Sequence, residues 1–411
     1  MSTYTAALRV TIGACVALAV PGGLMLGCGR PAQAPPVART AAPVATPAPF
    51  DFGNHHHPIR TTNAEAQRLF DEGFDLVFGF NHEEAVRSFG RAAELDPMSP
   101  MPHWAIAWAL GPNYNLDIDD GRSNQAYAAM QQALVLSKEA PEIERAYVAA
   151  MAPRFSTDPK ADRALLARQY AERMGVLSRR YPDDLDAAAL YAESLMNLNA
   201  WRLWALDGTP ASRTEEIVAV LESVLRRNPN HLGAIHYYIH TVEASPRPER
   251  ALEVAQRLPQ LAPAAGHLVH MPAHILARTG DQAGAAAANR AGAEADRAYL
   301  KTAPPGGFYG MAYYPHNLHF LVDSEMRQGR LAAARDAAQQ VAVLLAPHTQ
   351  MMPMVESLIT IQTAVLLRFG LHDEILESPS PPADHPVEVA WWHFAKGVSF
   401  ARTGKIGRAH V

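Results

Sequence analysis

The stretch from Ala66 to Pro97 reads AQRLFDEGFDLVFGFNHEEAVRSFGRAAELDP. Its periodicity is helical on both sides of a turn near Asn81, with small residues at Gly73, Ala85 and Ala92 and a large one at Phe89. Small residues let two helices approach closely, and Pro97 stops the second before another begins. From about Asn63 onward the same pattern returns with a period of about 34 residues, cut by Gly-Asp, Gly-Arg and Asp-Pro turns. Pro182, Pro229 and Pro263 end second helices. Gly280, Gly329, Gly370 and Gly404 mark the turn inside a unit, and Ala285, Ala334 and Ala338 recur on second helices. Two insertions interrupt the pattern, Gly111 to Ser123 and Ala205 to Ser212. β-branched alternation is almost lacking, so an all-α chain is expected.

Gly73, Ala85, Phe89, Ala92 and Pro97 stand at the small, large and proline positions of a tetratricopeptide repeat, which this unit resembles. The likeness covers most of Asn63 to Lys405. It implies a tetratricopeptide-like helical-hairpin solenoid, a superhelix with irregular insertions. It also implies that the first helix of each unit lines a concave groove through its second, fifth and ninth positions. Counting from Leu232 places His236 fifth and His240 ninth. Counting from Gly266 places His267, His270 and His274, and counting from Pro315 places His316, His319 and Asp323. Earlier units put Phe70 and Phe74, Trp104 and Trp108, then Ala189 and Glu193 at these places. One end of the groove is thus expected to be an aromatic wall for a substrate, and the other rich in imidazole.

Residues four apart on a helix share a face, so His236/His240 and His270/His274 can each present two ring nitrogens to one ion. His316 and His319 offer the three-apart version, while Pro272 should distort the helix of the second pair. These six histidines are the expected ligands, with His267, Asp323 and His103 as further candidates. His55, His56 and His57, which precede the first unit, could fold in as extra ligands or a lid. A polar ligand pocket without metal, and histidines bonded to neighbouring loops, are the competing readings. Glu243, one turn beyond His240, is a candidate ligand, orienting group or general base. Asn81 and His82 read as helix-capping residues, and His231, His348, His372, His385 and His393 as turn or packing residues. Asp117, Asp119 and Asp120 lack the loop glycine and terminal glutamate of a calcium loop.

The N-terminus reads as an export signal. Arg9 precedes an apolar run from Val10 to Val20, and Leu24-Met25-Leu26-Gly27-Cys28 resembles a bacterial lipobox, which implies lipidation at Cys28. Gly29 after the cysteine implies, by the same resemblance, delivery to the outer membrane. Residues 29–53 form a Pro- and Ala-rich tether, and 54–405 the solenoid. The chain holds only two cysteines, Cys15 in the signal and Cys28 at the lipobox, so a metal site must use His, carboxylate, Met or backbone oxygen. Residues 406–411 correspond to the translation of a common sequencing-adapter read and are expected to be an assembly artefact.

A net charge of −5 gives no electrostatic case for nucleic acid, and no phosphate-cradling glycine motif supports a nucleotide cofactor. The chain also resembles histidine-rich bacterial repeat lipoproteins with similar Asn-His-His-His-Pro, His-Tyr-Tyr-Ile-His and His-Met-Pro-x-His-Ile segments, a likeness that implies no activity. The expectation is an envelope-anchored, periplasm-facing repeat protein with a metal-binding groove for copper, zinc or iron. Whether it is an enzyme stays open. The alternative is a scaffold that binds a peptide or protein in the groove.

Overall fold

A computed structural model describes residues 50–304, 306–350 and 355–408. The export signal, Cys28, most of the tether and residues 409–411 lie outside the described residues. The first hairpin joins α1 (Ala64–Phe78) to α2 (His82–Leu95). Asn63 starts α1 by accepting the backbone N–H groups of Glu65 and Ala66. Gly73 lets the pair close, since a Cβ there would lie 2.4 Å from the Phe89 ring. The next hairpins are α3 (Met101–Leu110) with α4 (Asp120–Leu136), α5 (Glu142–Met151) with α6 (Arg163–Arg180), and α7 (Leu185–Leu198) with α8 (Thr214–Arg227). Asp119, Asp162 and Asp184 cap α4, α6 and α7 through their side chains.

The fifth unit is irregular. Helix α9 (Leu232–Val242) is followed by two single turns, α10 (Leu252–Ala255) and α11 (Leu258–Leu261), before α12 (Gly266–His270) and α13 (Pro272–Thr279). Pro272 does break this helix as its missing N–H requires, and the break falls at Met271. Then come α14 (Gln282–Leu300), α15 (Phe308–Arg327) and α16 (Leu331–Leu345). Beyond them lie α17 (Glu356–Ile359), α18 (Ile361–Arg368), α19 (His372–Glu377) and α20 (Pro386–Arg402). Gly280 and Gly329 make the turns after α13 and α15 with φ of +95° and +73°, values that exclude most other residues. Among the described residues the only β pairing is an isolated bridge between Trp204 and Pro210. The described part is an all-α, tetratricopeptide-like array of helical hairpins with irregular insertions.

Curvature decides what the array can do. Helix α1 packs back onto α9, where the Phe78 ring covers Gly233 so closely that a Cβ would lie 2.3 Å away. The α1–α2 hairpin also meets the last part of this region, because the Tyr299 hydroxyl donates to Glu84 Oε2 at 2.9 Å. The inner side is therefore filled by the first unit. Phe70, Phe74, Trp104 and Trp108, expected as the wall of an open groove, are interior instead, at most 3% exposed. Phe74 lies 4.9 Å from Trp108 and 5.4 Å from Phe70, centroid to centroid. Burial of each such ring stabilises the fold by roughly 1.5–3 kcal/mol. Glu193 is buried as well, beside Arg154 at 3.8 Å and accepting from Asn197 Nδ2. Burial pushes its carboxyl above the usual range.

Residues 50–53, at the end of the expected tether, pack onto the helices. Phe52 is buried with its ring 5.6 Å from Tyr299, and Ala264 N donates to the Asp51 carbonyl at 2.9 Å.

Candidate metal centre

Helices α9, α12, α13 and α15 bring six imidazoles together. His236, His240, His267, His270 and His274 are at most 2% exposed, and His316 sits at the partly open edge. Three donor triads form: His236/His240/His267, His267/His270/His316 and His240/Glu243/His274, each with its ligand atoms within 4.8 Å of one another. The first two share His267. The break at Met271 does not spoil the pair across it, for His270 Nε2 lies 2.8 Å from His274 Nε2.

The outer nitrogens fix the rings. His236 Nδ1 donates to the Phe78 carbonyl at 2.5 Å. His240 Nδ1 donates to Glu243 Oε1 at 2.8 Å, and His274 Nδ1 to Glu243 Oε2 at 2.6 Å. A carbonyl and a carboxylate only accept, so the proton of each of these neutral rings resides on Nδ1. His270 Nδ1 donates to Asn289 Oδ1 at 2.5 Å. The Nε2 atoms of these four rings are left as bare lone pairs. Those of His270 and His274 face one another at 2.8 Å, whereas His236 Nε2 lies 3.2 Å from His267 Nε2, which can donate its ring proton to it. His240 Nε2 and His267 Nδ1 are buried without a hydrogen-bond partner. Lone pairs set this close repel unless a proton or a cation lies between them. Two nitrogens bound to one tetrahedral zinc at its usual bond length sit about 3.3 Å apart.

Electrostatics disfavours a second proton on His236, His240, His267, His270 and His316. Burial, then the neighbouring imidazoles, pull His236, His267, His270 and His316 well below the ordinary histidine value, and burial lowers His240. Glu243 behaves oppositely. Burial would raise its carboxyl, but the His274 ring and the two imidazole bonds hold it well below the usual carboxylate range. Both of its oxygens are thus committed to orienting His240 and His274. These bonds suit the orienting task among the three considered for Glu243, which also stands in one of the donor triads.

Aromatic rings roof the cluster, and two of them use unusual backbone. Phe80 has φ of +60° and Trp201 has φ of +60°, left-handed values disfavoured by roughly 1 kcal/mol for residues with a Cβ. The Phe80 ring lies 4.4 Å from His236 and stacks on His240 and His267 at 5.8 and 5.4 Å. Trp201, just before the second insertion, and Tyr114, in the first, lie 6.0 and 5.4 Å from His240. Tyr313 and Phe320 close the α15 side, 4.8 Å from His267 and 4.6 Å from His274.

Several expected ligands lie elsewhere. His319 and Asp323 join no donor group. Helix α15 begins at Phe308, with Pro315 inside it, so the register counted from Pro315 fails beyond His316. Asp323 accepts instead from Arg327 Nε at 2.7 Å. His103 is half-buried on α3, outside the donor groups, and burial lowers its pKa. His56 meets Asp71 at 2.8 Å on the surface. His82 donates to the Phe80 carbonyl at 3.0 Å, while Asn81 makes no side-chain cap. His55 and His57 join Asp186 and His231, a grouping that no spacing in the sequence indicates. His231, expected as a turn residue, also caps α9 through Nδ1, which accepts Ala234 N–H at 3.2 Å. Asn289 and the Phe78 carbonyl, which hold His270 and His236, were equally invisible to spacing.

No protein-family model matches the chain, and no curated protein matches it. Among solved structures the chain is similar to a tetratricopeptide repeat protein from Parabacteroides merdae. The identity is 11% over 73% of this chain and 99% of that one, with a TM-score of 0.35. It is also similar to the human IFIT1 dimer with m7Gppp-AAAA, at 13% identity over 76% of this chain and 66% of that one, with a TM-score of 0.37. At such scores the likenesses carry no weight for function, and the architecture rests on the hairpins themselves.

Proposed function

We propose that the chain is a lipid-anchored protein of the bacterial envelope that binds transition-metal ions in the imidazole centre between α9 and α15. The observation that supports this reading is the division of labour within the rings. Nδ1 protons point outward to fixed acceptors, and Nε2 lone pairs point inward at one another. Imidazole donors without thiolate suit copper, zinc or iron. Glu243 supplies negative charge at one remove, by accepting from two of the rings, an arrangement that sharpens ligand basicity. Phe70, Phe74, Trp104 and Trp108, expected to hold a substrate, are interior.

The test is metal analysis of the purified chain after chelator stripping and reconstitution with copper, zinc or iron. Retention of at least about one equivalent, lost in His270→Gln, supports the reading. Equal metal content in wild type and His270→Gln refutes it.

A further inference from the structure

The strap before α1 carries His55 and His57 to the opposite, aromatic part of the interior. His55 Nε2 lies 2.8 Å from Asp186 Oδ1, and His231 Nε2 lies 3.2 Å from the same oxygen. The three ligand atoms fall within 4.8 Å of one another. The side chains are 12%, 9% and 1% exposed for His55, Asp186 and His231. The other oxygen of Asp186 is held by His57 Nδ1 at 2.7 Å.

Distance alone would suggest a carboxylate ringed by N–H donors, but the angles do not. His55 Nε2, His231 Nε2 and Asp186 Oδ1 are all buried without a hydrogen bond of acceptable geometry, although they lie side by side. Buried polar atoms are nearly always paired, and three orphans in contact are rare. The two rings still pair electrostatically with Asp186, and three donor atoms crowded this closely can also be shared by one ion. His57, by contrast, meets Asp186 in line and orients it. His55, alone of the three, also lines a cavity of about 270 Å³ with Asn54, Asn228, Asn230 and Leu232. That volume has room for several waters or a small polar ligand.

We propose that His55, Asp186 and His231 form a second, mononuclear site for a divalent metal, separate from the imidazole centre and bordered at His55 by this cavity. Two imidazoles and one carboxylate with free positions are the donor set of mononuclear iron(II) and of open zinc sites. The ion ties the strap to α7, which carries Asp186, and to the start of α9. Ala234 N–H caps His231 Nδ1, so the neutral ring holds its proton on Nε2; binding an ion there moves that proton to Nδ1 by way of solvent, with no net proton release, and gives up the cap. The cavity beside His55 carries three asparagines, Asn54, Asn228 and Asn230, which suit a small polar ligand rather than an apolar one.

The test uses the purified, chelator-stripped chain titrated with cobalt(II), read by visible absorption and by metal analysis. His55→Gln and Asp186→Asn are each expected to bind about one equivalent less than wild type, whereas His270→Gln, which strikes only the imidazole centre, keeps that equivalent. His55 sits on the strap, so its variant stays informative if Asp186→Asn fails to fold. A His55→Gln protein with the wild-type number of equivalents overturns the proposal. A wild type that binds a single equivalent, lost in His55→Gln and kept in His270→Gln, sustains this site and refutes the imidazole centre.

Discussion

The two imidazole groups are built on opposite plans. In the α9–α15 group the negative charge lies outside the ring of histidines, at Glu243 and at the carbonyls that accept Nδ1 protons. In the strap group the charge lies inside, at Asp186, with imidazoles around it. The first plan yields a cage of neutral lone pairs in a buried place where protonation is penalised. The second yields a charged centre that also attracts protons: burial alone would lower His57, yet Asp186 raises it. Histidine number therefore says little about a site. What decides its chemistry is where the acceptors of the second ring nitrogen stand.

Removal of a cage ligand is the hardest blow to this contrast. His270→Gln is expected to weaken metal binding at the α9–α15 centre at least about 100-fold, measured by competition with a chelator. Glu243→Gln tests the external charge. A neutral amide offers one acceptor oxygen where the carboxylate offers two, so one of His240 and His274 loses its orienting bond. Metal affinity should fall about 10- to 100-fold, and unchanged affinity would show that Glu243 is a bystander. At Phe80 the backbone and the ring pull against each other. Phe80→Ala should destabilise the chain by about 3 kcal/mol in urea unfolding, while Phe80→Gly should recover about 1 kcal/mol of that by removing the left-handed penalty. If glycine is the worse substitution, the strain assigned to φ of +60° is absent.

A pH test separates the centre from its surroundings. Asp296 is buried and accepts from the Tyr309 hydroxyl at 2.7 Å and from Asn317 Nδ2 at 2.6 Å. Burial outweighs both bonds and raises its pKa from 3.8 to about 7. A carboxyl raised on folding contributes stability below its unfolded pKa and loses it as pH climbs through the folded one. Asp296 should thus contribute a drop of about 1 kcal/mol between pH 6 and 8, and Asp296→Asn should remove that share while leaving the one from Asp75, which burial raises to about 9. The smallest effect is expected at His319 and Asp323, where alanine should leave metal content unchanged. A loss there would restore the register that α15 breaks.

The hairpins were legible because the signals that make them are local. Gly73 against Phe89, the aspartate caps and the turn glycines act within one unit. The pairs His236/His240 and His270/His274 were legible for the same reason, since four residues define a helix face whatever surrounds it. His319 was misplaced because Pro315 reads as a helix start, whereas α15 tolerates it two turns in. The aromatic wall was misread because the return of α1 onto α9 is a property of accumulated curvature, and no single repeat records it. That the histidines before the first unit could fold in was legible, but their partners were out of reach, as His57 and Asp186 stand 129 residues apart.

The most direct measurement is the metal content of the purified, reconstituted chain, compared with the double variant His236→Gln/His270→Gln under the same conditions. The account predicts bound copper, zinc or iron in the wild type and a loss of at least about one equivalent in the variant. Less than about a tenth of an equivalent in the wild type, or no difference between the two proteins, would contradict it.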